Sequence, residues 1–208
     1  MNDYSRFDAY LEQHMDESIA ELSMLCAQPS VAAQNWGLSE CAALVAESLK
    51  KRGFTVDILP TAGAPVVFGE LKGLSNKTLL FYNHYDVQPP EPLELWDTPP
   101  FEPTLKDGKL YARGVSDDKA HITSRLFAIN ALLSEHPRLP CNIKFIIEGE
   151  EEISSVHLKD FVYNNTARLQ AEACIWEFGG VDHREVPVQY LGLRGICYVE
   201  LSVETASQ

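Results

Sequence analysis

No apolar run in this 208-residue chain approaches the roughly 18 residues that span a bilayer. Basic residues are scarce: Lys and Arg number 17 against 30 Asp and Glu, for a net charge of −13. So acidic a chain repels phosphate backbones and anionic lipid surfaces, which argues against nucleic acid or a membrane as partner. A basic segment followed by an apolar stretch is also missing from the N-terminus, so no signal peptide is expected. The cysteines, Cys26, Cys41, Cys141, Cys174 and Cys197, are scattered and form no C-x-x-C pair. That excludes a zinc ribbon or a disulfide framework and fits reduced thiols in a cytoplasmic protein. Repeats and low-complexity tracts are absent, as is the H-E-x-x-H signature of single-zinc helices.

What is present is enough apolar material for a core, 45% of the residues, in a chain long enough for one large domain. Phe7, Leu11, Met15, Ile19, Leu22 and Leu25 have helical spacing, which predicts a helix from Tyr4 to Cys26, stopped by Pro29. A second helix is expected over Leu38–Arg52, with Ser39 as N-cap and Gly53 at its end. Strands are expected over 54–59, 65–70, 78–83, 142–148 and 173–177, and further helices over 118–134 and 154–163, the last capped by Ser154 or Ser155. Asp107-Gly108 reads as a hairpin turn between Thr104-Leu105 and Leu110-Tyr111. Helices alternating with short apolar strands indicate an α/β fold with a mainly parallel, helix-flanked sheet.

In such sheets, sites form beyond the carboxyl ends of the strands, and there the polar clusters stand. His84-Tyr85-Asp86 ends one strand; residues i and i+2 share a face, so Asp86 can fix the tautomer of a metal-binding His84. Asp117 and Asp118 precede a helix. Helix capping accounts for Asp118, whereas Asp117, presented on a glycine-bearing turn, can bridge two cations. Glu148-Gly149-Glu150-Glu151-Glu152 abuts a buried strand, where its repulsion calls for cations; one carboxylate can ligate while a neighbour stays free as a general base. Glu177 follows a third apolar strand. One His with several carboxylates suits Zn²⁺, Mn²⁺ or Co²⁺. His14, His121, His136, His157 and His183 lack this setting and read as structural or surface residues.

Taken together, residues 83–89, 96–101, 107–119, 148–152 and 191–198 resemble the co-catalytic two-zinc metallopeptidase family of carnosinase, cytosolic non-specific dipeptidase, aminoacylase, acetylornithine deacetylase and glutamate carboxypeptidase. Asp86-Val87-Gln88-Pro89, Trp96-Asp97 and Gly192-Leu193-Arg194-Gly195 look most like its dipeptidase branch. The resemblance implies two divalent metals, zinc first with manganese or cobalt as alternatives. It implies that His84, Asp117, Glu152 and Glu177 hold them, with Asp117 bridging. Asp86 orients His84, and Glu151 is the general base. The Glu-Gly-x-Glu-Glu pattern of the family sets that register.

The implied substrate is a dipeptide or short peptide, with an N-acyl amino acid as the alternative for the same site, and the full-length protein is expected to be a homodimer. The resemblance also implies a cis peptide between Asp117 and Asp118. Asn83, Ala120 and Ile153 depart from the residues common in the family without removing a ligand. Residues 1–192 would be part of the catalytic domain and 193–208 the start of a lid. Cys197, Val199, Leu201 and Val203 alternate like the lid's first strand. The final His ligand would lie outside this chain, so residues 1–208 alone are expected to be inactive.

Overall fold

A computed structural model describes residues 4–177, 179–188, 190, 195 and 197–205. Two helices open the chain, α1 (Ser5–Gln13) and α2 (Met15–Ala27). The apolar spacing predicts one helix here, but the helix breaks at His14, whose ring stacks on Tyr10 at 4.3 Å. Next come α3 (Leu38–Lys50), β1 (Thr55–Leu59), β2 (Val66–Leu71), β3 (Thr78–His84) and the expected hairpin of β4 (Thr104–Lys106) and β5 (Lys109–Tyr111). Then follow α4 (Ala120–Glu135), β6 (Asn142–Glu148), α5 (Leu158–Asn164) and β7 (Ala173–Trp176). The break at His14 lets both opening segments follow α4. Tyr10 packs near Phe127 at 6.2 Å, and Leu25 at the far end of α2 accepts a hydrogen bond of 2.8 Å from Lys119 just ahead of α4.

Two capping expectations are corrected. Gly37, not Ser39, is the N-cap of α3; its φ is 72°, and a Cβ there would lie 2.1 Å from the Pro29 carbonyl oxygen. Only glycine meets both conditions without strain. The second correction is at α5, which begins at Leu158 because Ser154 and Ser155 have φ of 73° and 50°. The Ser155 hydroxyl donates to the Glu148 carboxylate at 2.7 Å, so it does not cap the helix.

The main sheet has the order β1-β2-β6-β3-β7. β3 pairs in parallel with β6 and β7, while β2 pairs antiparallel with β1 and β6. Four strands therefore run one way and only β2 opposes them. On one face Val67, Ile143, Phe145 and Ile147 meet Val45 and Leu49 of α3 and Ile122 and Leu126 of α4. On the other, Val66, Tyr82 and Ile146 meet Phe161 of α5. The alternation along β6 divides Ile146 from Phe145 and Ile147, as strand geometry requires. Each such buried side chain contributes ~1.5–3 kcal/mol. With β6, β3 and β7 adjacent and parallel, their carboxyl ends lie side by side.

The chain divides into a unit ending at Phe178 and a small one from Gly179, which holds a hairpin of β8 (Gly180–Val181) and β9 (Pro187–Val188). Residues 191–194, with the expected boundary at 192 and the Gly192-Leu193-Arg194 motif, lie outside the described residues. Cys197, Val199, Leu201 and Val203 are exposed and pair with no strand among the described residues; an alternating segment takes strand form only against a neighbour's ladder. Among the described residues no helix is long and apolar enough to cross a membrane.

Candidate functional site

His84, the last residue of β3, is fully buried. Its Nε2 faces Asp117 Oδ1 at 2.9 Å, Glu177 Oε1 at 3.6 Å and Glu151 Oε2 at 3.9 Å. The topology brings them there: Glu151 follows β6 and Glu177 follows β7, on either side of β3. Asp117 comes from the turn Val115–Lys119 ahead of α4, with an extended backbone, φ −141° and ψ 101°. The Asp117–Asp118 peptide is cis, as the resemblance implies.

Asp86 is also fully buried. Its carboxylate lies 3.3 Å from His84 Nδ1, and its carbonyl oxygen lies 3.1 Å from the same nitrogen. The two carboxylate oxygens also accept the backbone N–H of Glu151 at 3.1 Å and of Glu152 at 3.0 Å. One side chain thus orients the imidazole and holds the acidic turn. The Glu152 carboxylate accepts a hydrogen bond of 2.6 Å from Gln88 Nε2. Of the two glutamates, Glu151 comes nearer the ring, and oxygens of Glu151 and Glu177 with a nitrogen of His84 lie within 4.8 Å of one another.

Asp118 is not the helix cap that its position suggests. It is buried, and its Oδ2 accepts hydrogen bonds from Asn83 Nδ2 at 2.6 Å and the His84 backbone N–H at 3.1 Å. The backbone at His84 lacks a ladder partner for that N–H, and Asp118 supplies it. Sequence reasoning also passes over Lys119, wholly buried, whose amino group donates to the carbonyls of Leu25 and Gln28, both at 2.8 Å. It passes over Arg125 as well, a charge on α4 that no local pattern marks, since its partners lie on β3 and beyond β7. His157 is structural as expected, 2.8 Å from Glu150. His121, read as a structural or surface residue, lies close enough to help His84 hold the Asp117 carboxyl low.

The electrostatics follow from crowding. Burial pulls the His84 imidazole down, but hydrogen bonds to Asp117 and Asp86 outweigh it, and its pKa is pushed up to about 11. The hydrogen bond from His84 holds the Asp117 carboxyl low. Burial first, then the charges of Glu177, Glu152 and Asp86, push Glu151 up to about 7. Burial likewise raises Glu152 and Glu177. Carboxylates from separate strand ends converge on one imidazole, a donor set of oxygen and ring nitrogen that suits zinc, manganese or cobalt. The residues fit a divalent cation, which would relieve their mutual repulsion.

The family model of peptidase family M20/M25/M40 matches residues 80–194. A Beta-Ala-His dipeptidase of Rattus norvegicus is 31% identical, over 96% of this chain and 44% of its own length. A Cys-Gly metallodipeptidase of Schizosaccharomyces pombe is 31% identical, over 95% and 45%. A succinyl-diaminopimelate desuccinylase of Bordetella avium is 34% identical, over 62% and 33%. Among solved structures, an M20 family metallo-carboxypeptidase of Sulfolobus solfataricus superposes with a TM-score of 0.78 at 40% identity, over 81% of this chain and 39% of that one. Human carnosine dipeptidase 1 gives 0.76 at 31% identity, over 84% and 41%. The chain spans less than half the length of these relatives.

Proposed function

Because the chain belongs to peptidase family M20/M25/M40, we propose that the intact protein, though not residues 1–208 alone, hydrolyses the amide bond of dipeptides at this site with the help of two divalent cations. The observation that carries this is the convergence of Asp117, Glu177 and Glu151 on Nε2 of a buried histidine. His84, Asp117, Glu152 and Glu177 would hold the cations, Asp117 between them, with zinc the first choice. Cations there supply Lewis acidity, which polarises a scissile carbonyl and acidifies water. Asp86 fixes the imidazole ring with Nε2 facing the cluster, where a cation would take the place of the ring proton. Glu151, partly exposed and with a pKa near neutrality, is the general base: it takes a proton from the attacking water and delivers it to the leaving amine.

The likeness to a desuccinylase supports a second reading, removal of an acyl group from an N-acyl amino acid, since the same groups cleave either amide. Free thiols, including the exposed Cys174 and Cys197, support a cytoplasmic location. The test is to strip the intact protein with chelator, reload it with Zn²⁺, Mn²⁺ or Co²⁺, and assay a panel of dipeptides beside N-acetyl amino acids. Metal-dependent cleavage of dipeptides is expected. Cleavage of the N-acetyl panel alone would favour the second reading, and no cleavage with any metal would overturn both.

A further inference from the structure

Arg125 stands behind the cluster on α4, and its guanidinium grips two of the three strand ends that deliver site residues, those of β3 and β7. Nη1 donates to the Tyr82 carbonyl at 2.9 Å and to Asn83 Oδ1. Nη2 donates to the Glu177 carbonyl. The guanidinium also lies 5.1 Å from the centre of the Phe81 ring. Phe81, Tyr82 and Asn83 are the residues of β3 that lead into His84, and Glu177 is the first residue beyond β7. Asn83 in turn donates to Asp118, which holds the His84 backbone N–H. One planar fork thus reaches the three segments that carry His84, Asp117 and Glu177.

Glu177 shows why such a fork is needed. Its φ is 37°, in the left-handed region that L-residues other than Asn and Asp rarely enter. Such a residue persists where its surroundings hold it. Here its N–H donates to the Tyr82 carbonyl at 2.9 Å, and its own carbonyl is held by Arg125. The backbone N–H and carbonyl of Glu177 are both held by the same carbonyl–guanidinium knot, and that sets the point from which its side chain departs toward His84. Burial lowers the Arg125 guanidinium, and the nearby charges of Asp118 and Glu177 offset part of that.

Building on the proposed metal site, we infer that Arg125 is a positioning residue that sets cation affinity by locking Glu177 and His84 in register. It touches no reacting atom; it acts through the backbone carbonyl of Glu177 and through Asn83. Lysine keeps the charge but cannot span acceptors on two strands as a planar fork does.

The test compares Co²⁺ binding by calorimetry and the visible spectrum of bound Co²⁺ in the intact protein, in Arg125→Lys, in Arg125→Met and in Ile129→Ala. Ile129 is a buried α4 residue away from the cluster, so its variant is a control for destabilised packing. Arg125→Met is expected to weaken Co²⁺ binding about 10–100-fold and to change the spectrum. Arg125→Lys is expected to recover part of that affinity, and Ile129→Ala to bind as the parent does. If Arg125→Met does not fold, Arg125→Lys decides alone. Parent-like affinity and spectrum in Arg125→Lys would overturn the inference, as would an equal loss in Ile129→Ala. Failure of the parent to bind Co²⁺ would overturn the metal site itself and this inference with it.

Discussion

The carboxylate of Asp86 joins His84 to Glu151: it lies 3.3 Å from the imidazole Nδ1 and accepts the Glu151 backbone N–H at 3.1 Å. Removing it should do two separable things. Asp86→Ala leaves the N–H groups of Glu151 and Glu152 without their acceptor, at ~1–3 kcal/mol for each group left unpaired. It also frees the His84 ring, for about a 10–100-fold loss of metal affinity. Asp86→Asn keeps an acceptor oxygen and should retain more stability than affinity. Urea unfolding and metal titration on both variants check this; parent-like metal affinity in Asp86→Ala would remove Asp86 from the site.

Glu151→Gln separates the base from the ligands. The amide keeps the shape and loses the ability to take a proton. Turnover should fall ~10²–10⁴-fold, the range for general base catalysis, while metal content stays near that of the parent. Steady-state kinetics with metal analysis by mass spectrometry read both. A large loss of bound metal would instead make Glu151 a ligand, a role its 3.9 Å approach to His84 also permits.

Metal binding should release protons. Glu151, raised to about 7, binds a proton in the folded protein at pH values where an unfolded carboxylate has lost it. Between its ordinary 4.5 and about 7 the folded state therefore holds more protons, and the metal-free protein loses stability as pH rises through that window. His84, raised to about 11, acts in the same direction at higher pH: its contribution is full below the ordinary 6.5 and is lost as pH rises through 11. A cation replaces those protons, so its stabilisation should grow from pH 5 to pH 8. Melting temperatures with and without Zn²⁺ across that range test the direction, and calorimetry in buffers of different ionisation heat counts the protons. A zinc-induced shift that shrinks as pH rises would contradict it.

The sequence made His84, Asp86, the acidic run 148–152 and Glu177 visible because strand ends in parallel sheets face a common crevice, and a short apolar run followed by a carboxylate is a local pattern; Asp117 stood out on a glycine-bearing turn, and only the family resemblance separated Glu151 as base from Glu152 as ligand. Supports drawn from distant segments left no such mark. Lys119 reads as an ordinary charge at a helix start, yet it is buried because two carbonyls 91 and 94 residues away accept its protons. Asp118 reads as a cap because the N–H it serves lies 34 residues back, on β3. The break at His14 was hidden because the apolar spacing runs on across it, and the course of α4 decides the matter.

Gly149 sets how close the acidic turn can come to the core. A Cβ there would lie 2.3 Å from Cζ and from the hydroxyl oxygen of Tyr85. That ring has nowhere to retreat: it is wholly buried, its hydroxyl donates to the Pro65 carbonyl at 2.7 Å, and its backbone N–H is held by the Glu148 carbonyl at 2.8 Å. Gly149→Ala must therefore push the turn outward, at the ~1–3 kcal/mol typical of overpacking. In a chain of this size each kcal/mol lowers the melting temperature by about 2–4 °C. The displacement carries Glu151 and Glu152 away from Asp86, so metal affinity should fall together with stability. Tyr85→Leu makes room and loses packing of its own, but combined with Gly149→Ala it should be less destabilised than the sum of the two single variants, because they share one contact. Thermal melts of the four proteins measure that coupling. Strict additivity, or a Gly149→Ala protein that melts with the parent, would mean that the close approach to Tyr85 does not hold the turn in place.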